Sequence, residues 1–265
     1  MAEQIMPQTL RERKAAHIPI TGLTAYDYPT AVLIDRAGLD LILVGDSLGR
    51  IILGHPRIEA TTMQEMIHHC AAVSRGAQRA LVVGDMPFGS YEVDPTRAVE
   101  NAVQLIKEGG VGAVKLEGGS EVLPAISALA TARIPVFGHL APQHTPSWAG
   151  TAEERRDSLV EAALDLGRAG AVAIVLVGLE EQTAAAITAA LQSIPSIGYL
   201  SGPHCDGRLL ITPAMLGLLP PQDPLPGPYG ALGQQLFEAF TRFREDTLSG
   251  AATSLEAHGP DAAHR

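Results

Sequence analysis

Asp46 and Asp85 each close a short apolar run, LILVGDSLG from Leu41 to Gly49 and ALVVGDMPFGSY from Ala80 to Tyr91. Runs of Val, Ile and Leu with almost no polar alternation read as strands buried on both faces, as in a parallel sheet covered by helices. In such folds the residues just past the carboxyl ends of the strands form the active site. Two carboxylates presented this way can hold one hard divalent cation, and a third acidic strand end, Glu117 in AVKLEGG, can join or orient them. The competing use of each Asp is to cap the segment that follows it, and the repetition of the pattern favours a site.

Other candidates are weaker. His68, His69 and Cys70 are adjacent on a helical pattern, where neighbours diverge by about 100° and cannot easily share one cation, so a packing role is expected. His139 stands at a strand end, which suits chemistry or a structural hydrogen bond equally. His144, Trp148, His204 and Cys205 fall in loops at carboxyl strand ends, where substrate choice is set. Cys205 acts as a nucleophile only if a neighbour such as His204 lowers its pKa. Arg208 is a further candidate contact for an anion. GDSLG and LEGGSE are neither a Walker loop nor a dinucleotide fingerprint, so no nucleotide cofactor is expected.

The elements that must position these residues alternate strand and helix at βα intervals. Candidate strands are PITGLTAY from Pro19, DLILVGD from Asp40, ALVVGDMP from Ala80, GAVKLEG from Gly112, PVFGHL from Pro135, VAIVLVGL from Val172, PSIGYLSG from Pro195 and, more weakly, LLITPA from Leu209. Between them, amphipathic stretches such as TTMQEMIHHCAAVSRG and PTRAVENAVQLIKEGG end in Gly, as helices often do. Eight strands predict a single α/β domain, a (β/α)8 TIM-type barrel over residues 1–249. It includes a proline-rich segment, 213–230, that can be neither regular helix nor central strand. GALGQQLFEAFTRFREDTLSG then predicts a helix with Leu232, Leu236, Phe240 and Phe243 near one face, and residues 250–265 read as a disordered tail.

Composition agrees. The 265 residues are close to the roughly 250 of a typical α/β barrel, and a 46% hydrophobic, 18% charged chain can bury a large core. The net charge of −10, with no Lys/Arg cluster, predicts no nucleic-acid partner. No stretch approaches the roughly 18 apolar residues of a membrane span, and the first residues lack the apolar core of a signal peptide. Two cysteines at unrelated positions match neither a disulfide framework nor a zinc site, so a cytoplasmic protein is expected.

The segments TAYDY, LVGDSLG, GHPRIEATTMQEMIHHCAAVSRGA, DMPFGSY, VKLEGG and GHL, spread over roughly residues 18–140, resemble the ketopantoate hydroxymethyltransferase family in register. The resemblance implies a barrel of the phosphoenolpyruvate/pyruvate-domain kind, assembled as a homo-oligomeric ring of the order of a decamer. It implies a small-molecule 2-oxo acid substrate, Mg2+, and methylenetetrahydrofolate as co-substrate in pantothenate biosynthesis. Carried over residue by residue, it makes Asp46 and Asp85 magnesium ligands, with Glu117 acting through or beside a metal-bound water. Ser47 and Lys115 then contact the carboxylate and keto oxygens of the substrate, and His139 points into the same pocket. A chelated 2-oxo acid loses electron density, so its α-proton becomes acidic near neutral pH, and Lys115 can stabilise the enolate oxygen.

The second half departs from the family pattern. Where the sixth strand normally ends in a catalytic glutamate, in a pattern like V-L-E, IVLVGLEE places Val177. The family's Tyr-Lys-x-Gln-Gly lid is absent from HLAPQHTPSWAGTAEERRDSL, and GYLSGPHCDG replaces a glycine-rich turn. Glu180 and Glu181 are nearby as substitute bases, although their offset also suits the start of a helix, where acidic residues favour the dipole. The chain therefore reads as a divergent hydroxymethyltransferase. The alternatives are a metal-dependent aldolase- or lyase-like enzyme acting on another 2-oxo acid, or an inactive paralogue.

Overall fold

A computed structural model describes residues 4–144, 150–219 and 229–250. The chain forms two compact units, one ending at Ile211 and one starting at Thr212. In the first, eight parallel strands close into a barrel in sequence order. They are β1 (Ile20–Thr24), β2 (Leu41–Val44), β3 (Leu81–Asp85), β4 (Ala113–Glu117), β5 (Val136–Leu140), β6 (Ala173–Val177), β7 (Ser196–Tyr199) and β8 (Gly207–Leu210). β8 closes the ring on β1, with Ile20 opposite Gly207 and Leu23 opposite Leu210.

The unalternating runs separate into two apolar layers. Leu41, Leu43, Leu81, Val83, Ala113, Phe137, Ala173, Val175, Ile197 and Leu209 share the cluster that fills the barrel. Ile42, Val44, Val82, Val114, Leu116, Val136, Ile174 and Leu176 belong to the layer beneath the helices. Period-two alternation therefore assigns the odd-numbered residues of these strands to the interior. Asp85, Lys115, Glu117, His139 and Val177 are the last inward members of β3 to β6.

Helix α1 (Pro7–Ala15) precedes the barrel and adds Leu10 to the cluster that fills it; the helices that follow are α2 (Tyr28–Arg36), α3 (Leu48–Ile51), α4 (Met63–Gly76), α5 (Pro95–Lys107), α6 (Leu123–Thr131), α7 (Ala152–Ala169) and α8 (Glu181–Ala190). β7 and β8 are joined directly by residues 200–206, with no helix between them. The eighth strand begins earlier than LLITPA implies and also ends earlier. Gly207 can enter the ladder because a Cβ there would meet the Ile20 backbone at 2.6 Å, whereas Thr212 and Pro213 start the short helix α9 (Thr212–Met215). In the second unit, α10 (Leu232–Ser249) matches the amphipathic segment, and Phe237, Phe240 and Phe243 are exposed on it. Most of the proline-rich segment, residues 220–228, the tail from 251 and Trp148 lie outside the described residues.

α4 backs the two aspartate-bearing strands, and its Cys70 thiol packs where a Cβ on Gly84 would meet it at 2.9 Å. A capping box starts this helix: Glu65 N–H donates to Thr62 Oγ1, and Thr62 N–H donates to Glu65 Oε2 at 2.7 Å. The Thr62 amide, with His55 at 2.9 Å, holds the Glu65 carboxyl down at about 2. Glu65→Ala is expected to destabilise the protein by about 1 kcal/mol, the usual cost of a lost cap. A depressed carboxyl stabilises fully above its unfolded value of 4.5 and loses that contribution as pH falls toward about 2. Thermal unfolding of both proteins across that window should show the difference shrinking with acid.

Candidate active site

The inward residues at the carboxyl ends of β3, β4 and β5 meet in one polar cluster. Register places Asp85 beside Lys115 and Glu117 beside His139. Lys115 Nζ lies 3.1 Å from Asp85 Oδ2, and both side chains are buried. Asp46 follows β2, and its backbone N–H donates to the same Asp85 oxygen at 3.1 Å. Gly45 leaves room for this contact, because a Cβ there would approach Ser47 Oγ to 3.1 Å and Asp85 Oδ2 to 3.5 Å. The turn is held from behind by Thr61, whose hydroxyl donates to the Asp46 carbonyl at 2.9 Å. Ser47 begins α3 without capping it through its side chain.

Electrostatics divide the three carboxyls. Asp46 is pushed up to about 7, first by burial and then by the neighbouring charge of Asp85, with Lys115 opposing. Asp85 is also raised, chiefly by burial, against the pull of Lys115. Glu117 goes the other way. Burial would raise it, but hydrogen bonds from His139 and His144 outweigh burial and hold its carboxyl well below the ordinary range. For Lys115, desolvation favours the neutral amine, and the charges of Asp85, Asp46 and Glu117 override it, so the ammonium persists. Burial, reinforced by the Lys115 charge, lowers His139 to about 4, so the imidazole is neutral near pH 7.

His139 Nδ1 lies 3.2 Å from both Lys115 Nζ and Glu117 Oε2. One ring nitrogen cannot accept from the ammonium and donate to the carboxylate at once, so these two contacts exclude each other. Its Nε2 is buried without a protein partner, as is Asp85 Oδ1. A buried carboxylate oxygen with no donor, beside a second carboxylate that burial and the neighbouring charge push toward protonation, makes a pair suited to a cation. The donors are hard oxygens, as magnesium requires. No three His, Cys, Asp or Glu side chains among the described residues converge tightly enough to cage an ion alone. Two carboxylates with water and substrate completing the shell is the usual magnesium arrangement, so the residues present fit that ion.

Sequence reasoning named Asp46, Ser47, Asp85, Lys115, Glu117 and His139, and these residues lie together at one end of the barrel. Glu180 and Glu181 do not join them: exposed Glu180 lies 3.7 Å from Arg155, and Glu181 pairs with His204 at 2.8 Å. Val177 completes β6 opposite Tyr199 and packs against the barrel interior. Burial raises both thiols, which leaves Cys205 unactivated and Cys70 inert. His69 turns to the Tyr26 carbonyl, with Nδ1 at 2.7 Å. Arg208 sits opposite Thr21 near the start of β1, away from the carboxyl strand ends. The residue that sequence reasoning undervalued is His144, whose Nε2 lies 3.2 Å from Glu117 Oε1.

The family model described as ketopantoate hydroxymethyltransferase matches residues 4–251. A 3-methyl-2-oxobutanoate hydroxymethyltransferase from Ignicoccus hospitalis is 45% identical over 239 residues, covering 87% of this chain and 90% of that protein. One from Synechococcus elongatus is 43% identical over 249 residues, 91% of this chain and 92% of that protein. Among solved structures, a phosphonopyruvate hydrolase in complex with oxalate and Mg2+ is similar in fold, with a TM-score of 0.64 at 16% identity, covering 94% of this chain and 92% of that one.

Proposed function

Because the chain belongs to the ketopantoate hydroxymethyltransferase family, we propose that it is an enzyme transferring a hydroxymethyl group to 3-methyl-2-oxobutanoate, with magnesium held by Asp46 and Asp85. The observation that supports this reading is the buried, partnerless Oδ1 of Asp85, whose other oxygen, Oδ2, meets Lys115 Nζ and the Asp46 N–H. Magnesium bound there supplies Lewis acidity toward a chelating 2-oxo acid. The chain's own groups do the rest. Lys115 is a buried cation that receives the negative charge developing on the keto oxygen. Ser47, freed from capping, offers its hydroxyl to the substrate carboxylate. Neutral His139, when its Nδ1–H donates to Glu117, presents Nε2 as an acceptor in the same pocket.

Methylenetetrahydrofolate as donor of the one-carbon unit, the homo-oligomeric ring and a place in pantothenate biosynthesis belong to this reading by family analogy. A cytoplasmic location suits the two free thiols, and no helix among the described residues is long and apolar enough to cross a membrane. The aldolase-like and inactive alternatives are not favoured, since the relatives matched along most of the chain carry the hydroxymethyltransferase name. Incubation with 3-methyl-2-oxobutanoate, methylenetetrahydrofolate and magnesium should yield the hydroxymethylated 2-oxo acid, read by mass spectrometry. Failure to form it at any magnesium concentration would sink the proposal.

The raised Asp46 carboxyl gives a pH dependence with a definite sign. A proton on Asp46 must leave before a cation binds, so apparent magnesium affinity should be flat above about 7 and fall up to tenfold per unit below it. Calorimetry between pH 5.5 and 8, conditions chosen around that value, tests this; affinity independent of pH would place Asp46 outside the metal site.

A further inference from the structure

We infer that His144 is a positioning residue for Glu117, fixed as the Nε2–H tautomer by the backbone of its own loop, an inference that rests on reading Glu117 as part of the metal pocket. Three observations converge. The Ala141 N–H donates to His144 Nδ1 at 3.0 Å, and a nitrogen that accepts this bond carries a lone pair, so the ring proton sits on Nε2. That Nε2 faces Glu117 Oε1 at 3.2 Å, and the imidazole is largely buried. The His144 carbonyl, in turn, packs so closely on Gly119 that a Cβ there would lie 2.0 Å from it. Residues 141–144, at the start of the loop after β5, are thus docked on the turn after β4, and the histidine is clamped from its backbone and from its ring.

The consequence falls on Glu117, the most solvent-accessible carboxylate of the cluster. His144 holds Oε1, and Oε2 is held as well when His139 Nδ1–H donates to it, yet each oxygen keeps a second lone pair for a water or ion. Without His144 the side chain regains its rotamers, and the pocket loses a preset acceptor. Second-sphere groups of this kind orient metal sites in general. The two rings also meet edge to face at 5.6 Å, so His144 braces His139.

The test separates the ε-donor from the δ-acceptor. Long-range 1H–15N spectra of the wild-type protein without metal should show the His144 proton on Nε2; a proton on Nδ1 overturns the inference. Magnesium calorimetry then compares three variants. His144→Gln keeps a donor near the Nε2 position, whereas His144→Asn keeps only an acceptor for Ala141. Affinity should fall about tenfold in His144→Ala and His144→Asn and stay within about threefold in His144→Gln, in line with the usual worth of outer-sphere partners. Rescue by Asn with loss in Gln would mean that His144 merely anchors its loop and overturns the proposal. Gln no better than Ala, or all three binding like the wild type, also overturns it. If a variant fails to fold, the wild-type tautomer still decides. A wild-type protein that takes no magnesium defeats the proposed function, and the metal-free tautomer then judges this inference alone.

Discussion

Asp46→Asn combined with Asp85→Asn is expected to weaken magnesium binding by more than about a hundredfold, because outer-sphere partners alone are commonly worth 10- to 100-fold and these are the ligands themselves. The barrel should survive. An amide oxygen in place of Asp85 Oδ2 still accepts from the Asp46 N–H and from Lys115, and the raised pKa values of both aspartates mark charges that burial already disfavours. Against this, Lys115 loses anionic neighbours and becomes a buried cation with Glu117 as its remaining carboxylate, which is a real destabilisation. Thermal unfolding of the double variant therefore belongs beside the calorimetry. A folded variant that binds magnesium as the wild type does removes the metal assignment, and with it the chelation of the 2-oxo acid.

The site was legible in the sequence to the extent that it depends on strand ends. The apolar runs fixed where β2, β3, β4 and β5 stop, and period-two alternation makes Asp85, Lys115, Glu117 and His139 face one interior. Asp46 sits past its strand, but its place follows from the glycine before it. What escaped the sequence depends on contacts between segments distant in the chain. Glu180 and Glu181 look like substitute bases in the sequence until Arg155 and His204 are seen to engage them. His144 reads as part of a shortened loop until that loop is laid on Gly119, which only the tertiary path can do. β8 was misplaced by two residues because the signal there is a glycine fitting against Ile20, which no run of β-branched residues announces.

If Val177 stands where the family pattern has its glutamate, these placements change which group can act as the base. A general base must reach the proton it removes before its pKa matters. Glu180 and Glu181 are exposed and paired elsewhere, Cys205 is unactivated, and Val177 offers no lone pair. His139, neutral near pH 7 with Nε2 unpartnered inside the pocket, is the first side chain to test. Its Nε2 carries the lone pair when Nδ1–H donates to Glu117, which is one of its two exclusive arrangements.

The protein should accordingly bind 3-methyl-2-oxobutanoate with magnesium yet exchange its α-proton in deuterium oxide more slowly than a family member with glutamate at the end of the sixth strand. General-base assistance is commonly worth about 10²- to 10⁴-fold, so NMR should resolve the deficit easily. Val177→Glu is expected to recover part of the exchange, because residue 177 ends β6 on the inward face, toward the barrel interior. The recovery should grow with pH, since a carboxyl at the inward end of β6, packed against the apolar barrel interior, must first ionise against desolvation. Exchange by the wild-type protein as fast as in a glutamate-bearing relative would mean that another residue is the base. His139→Gln then distinguishes the candidates: exchange that collapses in that variant with magnesium binding retained assigns the role to His139, and exchange that persists excludes it.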